Sequence, residues 1–278
     1  MAFNEEALDR QNYIKRTIMT KEDLIRIIEE TAPPDLAEDW DNTGIQILAD
    51  DREVKKILTC LDICDETVEE AIEEGCDFIL SHHPMFFAPV KQLDVRSAAG
   101  ARVIKLINNG ISVYSAHTSF DTAEGGNNDF LADLIGLSEV RASEEEPILR
   151  IGVFPGEPRR LGEIIEIIDE KLMGGSGLTF TGSPDALISK VAICTGAGAE
   201  FAGLAKKLGC DLLITGDVKY HDFQYAEDRG IAVVDAGHFE TEILFCDNAA
   251  EALRKKTGGK VEILSSKKQH SPLKRYHR

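Results

Sequence analysis

The chain has 278 residues, 43% hydrophobic and 29% charged, the balance of a globular protein that can bury one large core or two modest ones. A formal net charge of −18 repels a phosphate backbone and disfavours a nucleic-acid groove. No apolar stretch approaches the ~20 residues of a membrane span, and Met1 to Asp9 carries acids without an apolar core, so the expectation is a cytoplasmic protein with no membrane partner.

In chain order, Trp40-Asp41-Asn42-Thr43-Gly44 is the first distinctive run, and Trp40, after Pro33-Pro34 and Ala37, reads as a core residue. A strand at 56–60 is followed by a helix over 67–74, closed by Gly75. The apolar run Asp77-Phe78-Ile79-Leu80 reads as a buried strand and stops at Ser81-His82-His83-Pro84. A further strand from Gly110 ends at Ala116-His117-Thr118-Ser119-Phe120-Asp121, and Gly125-Gly126-Asn127-Asn128-Asp129 reads as a loop leading into a helix. Its glycines either bring backbone close to the site or simply make the turn.

The second half repeats this grammar. Lys190-Val191-Ala192-Ile193-Cys194 leads to Thr195-Gly196-Ala197-Gly198-Ala199, which is either an anion-presenting turn or a plain tight one. A helix over 200–208 and the strand Asp211-Leu212-Leu213-Ile214-Thr215 follow, then Gly216-Asp217-Val218-Lys219-Tyr220-His221. Another strand ends at Ala236, and Gly237-His238-Phe239-Glu240-Thr241-Glu242 opens a helix expected to run on to Lys256. The basic tail (Lys267, Lys268, Lys274, Arg275, Arg278) reads as a disordered polar end. The cysteines, Cys60, Cys64, Cys76, Cys194, Cys210 and Cys246, lie mostly in apolar runs without zinc-ribbon spacing, as buried free thiols in a reducing compartment do.

Two stretches align without gaps at a constant offset of 134, Lys56-Ile57-Leu58-Thr59-Cys60 with 190–194 and Gly75-Cys76-Asp77-Phe78-Ile79-Leu80-Ser81 with 209–215. Gly110-Ile111-Ser112-Val113-Tyr114-Ser115-Ala116 then aligns with 230–236 at an offset of 120. The simplest account is an α/β protein of two similar βαβ-type domains from an internal repeat, with largely parallel sheets. The expected divisions are an N-terminal extension (1–20), a first domain (21–140, completed by a C-terminal helix within 238–264), a second domain (141–237) and the tail (265–278).

Five of the seven histidines lie at or within a few residues of these strand ends. Open α/β sheets build their sites there, and imidazole is the commonest side-chain donor for transition metals. His238 and Glu242, four apart on one helical face, either ligate metal or form a surface pair. Because adjacent strand side chains alternate, one metal would need a local bend to take both His82 and His83, whereas two metals take one each. Asp121 is the candidate bridging carboxylate. Nitrogen and oxygen donors suit Zn, Fe, Mn, Co or Ni. His117 and His221 are either proton-moving residues or structural histidines.

Together, Ser81-His82-His83-Pro84, His117-Thr118-Ser119-Phe120-Asp121, Gly216 to His221, Gly237 to Glu242 and the early Trp40 to Gly44 run resemble the NIF-three-like family of dinuclear-metal proteins, often labelled GTP cyclohydrolase 1 type 2 homologues. The resemblance covers roughly residues 21 to 265. It implies two divalent metal ions held by His82, His83, Asp121, His238 and Glu242, a cleft shared by the two domains, and a hexameric ring of identical chains. Met1 to Met19 and the residues after Ser265 extend beyond the family's usual ends, and the inserted domain of longer members is missing. The functional expectation is a dinuclear-metal hydrolase. Its metals acidify a bridging water to attack a small-molecule substrate, a nucleotide or related heterocycle, by C–N or phosphoester hydrolysis. The alternative is a non-catalytic protein that buffers, delivers or senses metal, or scaffolds partners.

Overall fold

The computed structural model describes residues 18–274, so most of the N-terminal extension and the tail residues Arg275 and Arg278 lie outside the described residues. The chain is a mixed α/β protein whose described residues form two compact units, 18–117 with 249–269, and 118–248 with 270–274.

The first unit is built on a five-stranded sheet. Its strands are β1 (Gly44–Ile47), β2 (Lys56–Cys60), β3 (Phe78–Ser81), β4 (Ser112–Ser115) and a closing strand, Glu262–Ser265, in the order β1-β4-β3-β2-closing strand. All pair in parallel except β1, which runs antiparallel to β4. The alternation of apolar and small residues explains the layering. Leu58, Ile79 and Val113 point into one core with Val68 and Ala71 of helix Asp65–Glu73 and Val103 and Leu106 of helix Ala98–Asn108. Cys60, Ser81 and Ser115 stand in register across three strands, so Leu61, His82 and Ala116 leave the sheet at one level.

The second unit holds a six-stranded sheet. Its strands β5 (Ser138–Ala142), β6 (Arg150–Val153), β8 (Thr179–Thr181), β10 (Lys190–Ala197), β11 (Leu212–Gly216) and β12 (Ala232–Asp235) run in the order β5-β6-β10-β11-β12-β8, and β7 (Arg159–Arg160) and β9 (Leu187–Ile188) form a separate pair. β10, β11 and β12 are parallel to one another. One face packs under Leu131 and Ile135 of helix Asn127–Ile135 and Leu161, Ile164 and Ile168 of helix Leu161–Ile168. The other packs under Ala202 and Ala205 of the short helix Ala202–Lys207 and Ala226 of helix Tyr220–Arg229. Each sheet thus carries three adjacent parallel strands in sequence order, with an antiparallel strand beside the third.

Several boundaries differ from expectation. The chain enters the second unit after His117 rather than near 140, because Leu131, Ala132 and Ile135 bury against β10 and β11. The helix expected over 238–256 is two, His238–Glu242 and Leu244–Thr257. Thr241 Oγ1 donates back to the Gly237 carbonyl at 2.8 Å, a bond that competes with the helical ladder and bends it. The start of the basic tail is anchored: Lys268 pairs with Glu73 at 2.6 Å, and Gln269 Oε1 accepts from the amides of Leu61 and Asp62 at 2.8 and 2.7 Å.

An ion pair ties helix Lys21–Glu29 to the segment after β1. Lys21, only 4% exposed, donates to the Asp50 carboxylate and, at 3.0 Å, to its carbonyl. Burial pushes the Asp50 carboxyl up, but hydrogen bonds from Lys21 and Arg52 outweigh it and hold the pKa at about 2 instead of 3.8. A carboxylate with a lowered folded-state pKa stabilises above the unfolded value near 4 and loses that contribution as pH falls towards 2. Asp50→Asn should therefore cost about 1–2 kcal/mol in urea unfolding near pH 6, allowing for screening of the quarter-exposed carboxylate. The gap to wild type should narrow as pH drops from about 4 to 2. A gap constant over that range would contradict the assignment.

Candidate metal centre

In the first unit, the level strand ends bring three imidazoles together. His82 is fully buried, His83 20% exposed and His117 8%, and each offers a ligand atom within 4.8 Å of the other two. The backbone bends directly after β3, and the His82 and His83 amides donate to the carbonyls of Cys60 and Leu61, both at 2.9 Å. That bend defeats the strand alternation, so neighbouring side chains reach one locus, their ring centroids 5.3 Å apart.

The orientation of each ring is fixed from behind. His82 Nδ1 lies 3.1 Å from the Ala116 carbonyl, which can only accept, so Nδ1 carries the proton. His83 Nδ1 sits 2.8 Å from Asp62 and His117 Nδ1 2.9 Å from Asp41, whose side chain is fully buried. With Nδ1 occupied as donor, each imidazole presents Nε2 as its electron-pair donor, the pattern of metal-ligating histidine. The Trp40 to Gly44 run serves this arrangement: Thr43 Oγ1 accepts from the His117 amide at 3.2 Å and donates to the Ser115 carbonyl at 3.3 Å. Asp41 turns inward to His117, which leaves Trp40 outward and 63% exposed, not in the core as expected.

The second unit contains Asp121, His238 and Glu242. Asp121 (4% exposed) lies in the short helix Thr118–Thr122, and Thr195 Oγ1 donates to its Oδ1 at 3.4 Å. Asn128 clamps the same turn: its Nδ2 donates to the carbonyls of Asp121 and Ile148, while its Oδ1 accepts from the Thr195 amide at 2.7 Å. Arg150, 3% exposed, donates to the carbonyls of Thr122 and Ala123 at 2.7 and 2.8 Å and to Asp129 at 2.6 Å. His238 repeats the orientation seen in the first unit, with Nδ1 2.8 Å from Asp217 and Nε2 2.9 Å from Glu242. Asp217 adopts φ 52°, a left-handed conformation that Asp tolerates better than most residues. The Glu242 hydrogen bond, opposed by burial and reinforced by Asp217, raises the His238 pKa to about 9.

The glycine runs clear space. Gly196 has φ +70°, and a Cβ there would lie 2.0 Å from Glu242 Oε1. Gly196 N donates to Thr241 Oγ1 and Gly198 N to Thr215 Oγ1, so these amides serve the fold and the run is the end of β10 and the step into the next helical turn, not an anion cradle. A Cβ on Gly126 would meet the Phe120 carbonyl at 1.7 Å, beside Asp121. His221 stands apart: it is exposed in the first turn of helix Tyr220–Arg229, with Nδ1 3.4 Å from Gln224. Asp62, Arg150 and Gln269 stand in none of the sequence motifs, and Asp217 and Asn128 stand in two of them without a role of their own. Only Asp217, at a strand end beside a glycine, carried a local signal.

Fold and donor set define an α/β protein whose strand ends, and the short helices that follow them, present back-anchored imidazoles and buried carboxylates, groups able to hold metal. The chain belongs to the DUF34/NIF3 (NGG1p interacting factor 3) family, which residues 19–272 match. A Clostridium perfringens protein named GTP cyclohydrolase 1 type 2 homolog is 36% identical over 261 residues, covering 92% of this chain and 99% of its own. Among solved structures, reduced HcgD from Methanocaldococcus jannaschii superposes with a TM-score of 0.76 at 29% identity, over 89% of this chain and 97% of its own. A Bacillus cereus protein related to NIF3 shares the fold with a TM-score of 0.85 at 23% identity, over 92% and 99% of the two chains. Among the described residues no helix is long and apolar enough to cross a membrane.

Gly196→Ala tests the clearance directly. The methyl should displace the Glu242 carboxylate and add roughly 1–3 kcal/mol of backbone strain. Metal content by plasma mass spectrometry should fall severalfold with the circular dichroism spectrum retained. Full metal content in this variant would remove Glu242 from the ligand set.

Proposed function

We propose that this chain is a cytoplasmic dinuclear-metal hydrolase acting on a nucleotide or related heterocycle, and that it works as a homo-oligomer, by family resemblance a hexameric ring. On this reading the two sheets are copies of one βαβ unit. His82 and His83 of the first unit, with Asp121, His238 and Glu242 of the second, would hold two divalent ions. The observation that carries the reading is the common orientation of the imidazoles: His82, His83, His117 and His238 each have Nδ1 held by an acceptor. Surface histidines have no reason to share that restraint, and buried carboxylates such as Asp121 and Glu242 need a cation or donors around them.

Two such ions, when bound, would supply Lewis acidity for the substrate and acidity for a nearby water. The remaining work falls to the chain. Asp121 and Glu242, 4% and 3% exposed, bring negative charge into a site largely closed to solvent. Asp62 and Asp217 keep His83 and His238 in one tautomer and one orientation. His117, backed by buried Asp41, is placed to accept a proton at Nε2 and pass it to a leaving nitrogen or oxygen.

His82→Ala and Glu242→Ala should each lower bound metal without loss of the circular dichroism spectrum. Hydrolysis across a nucleotide panel should vanish in Asp121→Ala while that variant stays folded. Metal binding with no turnover of any nucleotide in the wild type would favour a buffering or delivery role instead.

A further inference from the structure

Beside the imidazole cluster, the first unit contains a cavity of about 920 Å3 whose lining includes Trp40, Asp41, Asn42, Gln46, Phe87 and Lys91. That volume lies in the range of small-molecule sites, roughly 300–1,000 Å3. The cavity shares a wall with the candidate centre, because the Asp41 that lines it is the carboxylate behind His117. Trp40 and Phe87 both stand edge-on to the His117 ring, with centroids at 5.7 and 5.8 Å and interplanar angles of 76° and 84°. They are also 63% and 60% exposed. Two large aromatic rings left in solvent at the rim of a cavity, both turned to one imidazole, form an unfilled apolar surface of the kind that marks a binding site.

The polar groups indicate what fits. Asn42 Nδ2 donates to the Phe86 carbonyl at 2.6 Å, which fixes the carboxamide and leaves Oδ1 to accept from a ligand N–H. Among the described residues, Lys91 is the single cation of the lining. An aromatic surface, one fixed acceptor and one cation suit a flat ring with N–H edges and an anionic substituent.

We propose that this cavity is the ring-binding subsite for the substrate: a planar heteroaromatic base stacks on Trp40 and Phe87, donates to Asn42 and directs its phosphate to Lys91. The assignment rests on the function proposed above, since it sets a bond of the bound ring next to His117. It deepens that reading by locating recognition in the first unit, apart from the metal ligands.

Trp40 is the only tryptophan of the chain, so its fluorescence reports on this site alone. The full-length protein, as purified and after chelation, is titrated with adenosine and guanosine 5′-monophosphates and with ribose 5-phosphate. The nucleotides should quench Trp40 saturably in both preparations, and ribose 5-phosphate should not. Phe87→Ala should raise Kd roughly tenfold, the scale of one base–aromatic stack. Lys91→Met should weaken nucleotides but not the free nucleosides, and His82→Ala should leave quenching intact while lowering metal. No saturable quenching up to millimolar nucleotide overturns the proposal. So does an emission change that follows protein concentration alone, which would assign the aromatic rim to a second copy. Saturable quenching in a wild-type protein that takes up no metal when divalent ions are supplied supports the subsite and sinks the metal reading, so the two failures are distinguishable.

Discussion

The constraint on which the centre depends is that an imidazole offers an electron pair in a fixed direction only when its other nitrogen is tied down. Asp62, Asp41, Asp217 and the Ala116 carbonyl do this for His83, His117, His238 and His82. Much of the nearby structure holds these acceptors in place. The register of β2, β3 and β4 sets Ala116 opposite the exit of β3. Gln269, far along the chain, ties down the backbone of Leu61 and Asp62. The left-handed backbone at Asp217 aims its carboxylate at His238.

The buried carboxylates follow a different logic. Asp121 lies on a single short helical turn that has little stability of its own. It is held by Asn128, which bridges three backbone groups, and by Arg150, which grips the next two carbonyls. Each is a buried polar residue that bonds several backbone groups, Arg150 pairing with Asp129 as well, so each makes the loop rigid beside the Asp121 charge. Gly196 and Gly126 complement them by keeping side chains out of contested volume.

What the sequence revealed, and what it hid, divides along the same physical line. Apolar runs ending in Ser81-His82-His83 or Thr215-Gly216-Asp217 are local signals, and the strands formed there. The i,i+4 spacing of His238 and Glu242 is local too, and the two side chains meet at 2.9 Å. Asp62 and Gln269 were illegible because each acts on a partner distant in sequence, and an aspartate in a polar loop looks like any other. Trp40 was misread because composition favours burying an indole, whereas the inward turn of Asp41 decides the opposite. His221 had the right residue type beside the right motif, but it lies on the exposed first turn of its helix.

The closing strand Glu262–Ser265 pairs with β2 across some two hundred residues of chain, and this orders events during synthesis. Residues 118–248 are contiguous and emerge from the ribosome complete enough to fold. The first unit must wait, with the edge of β2 unpaired and Asp62 without Gln269, until the last residues appear. The first unit, begun before the second, is therefore still open when residue 248 has emerged, and a nascent chain stalled before residue 262 carries an open sheet edge beside an unformed site.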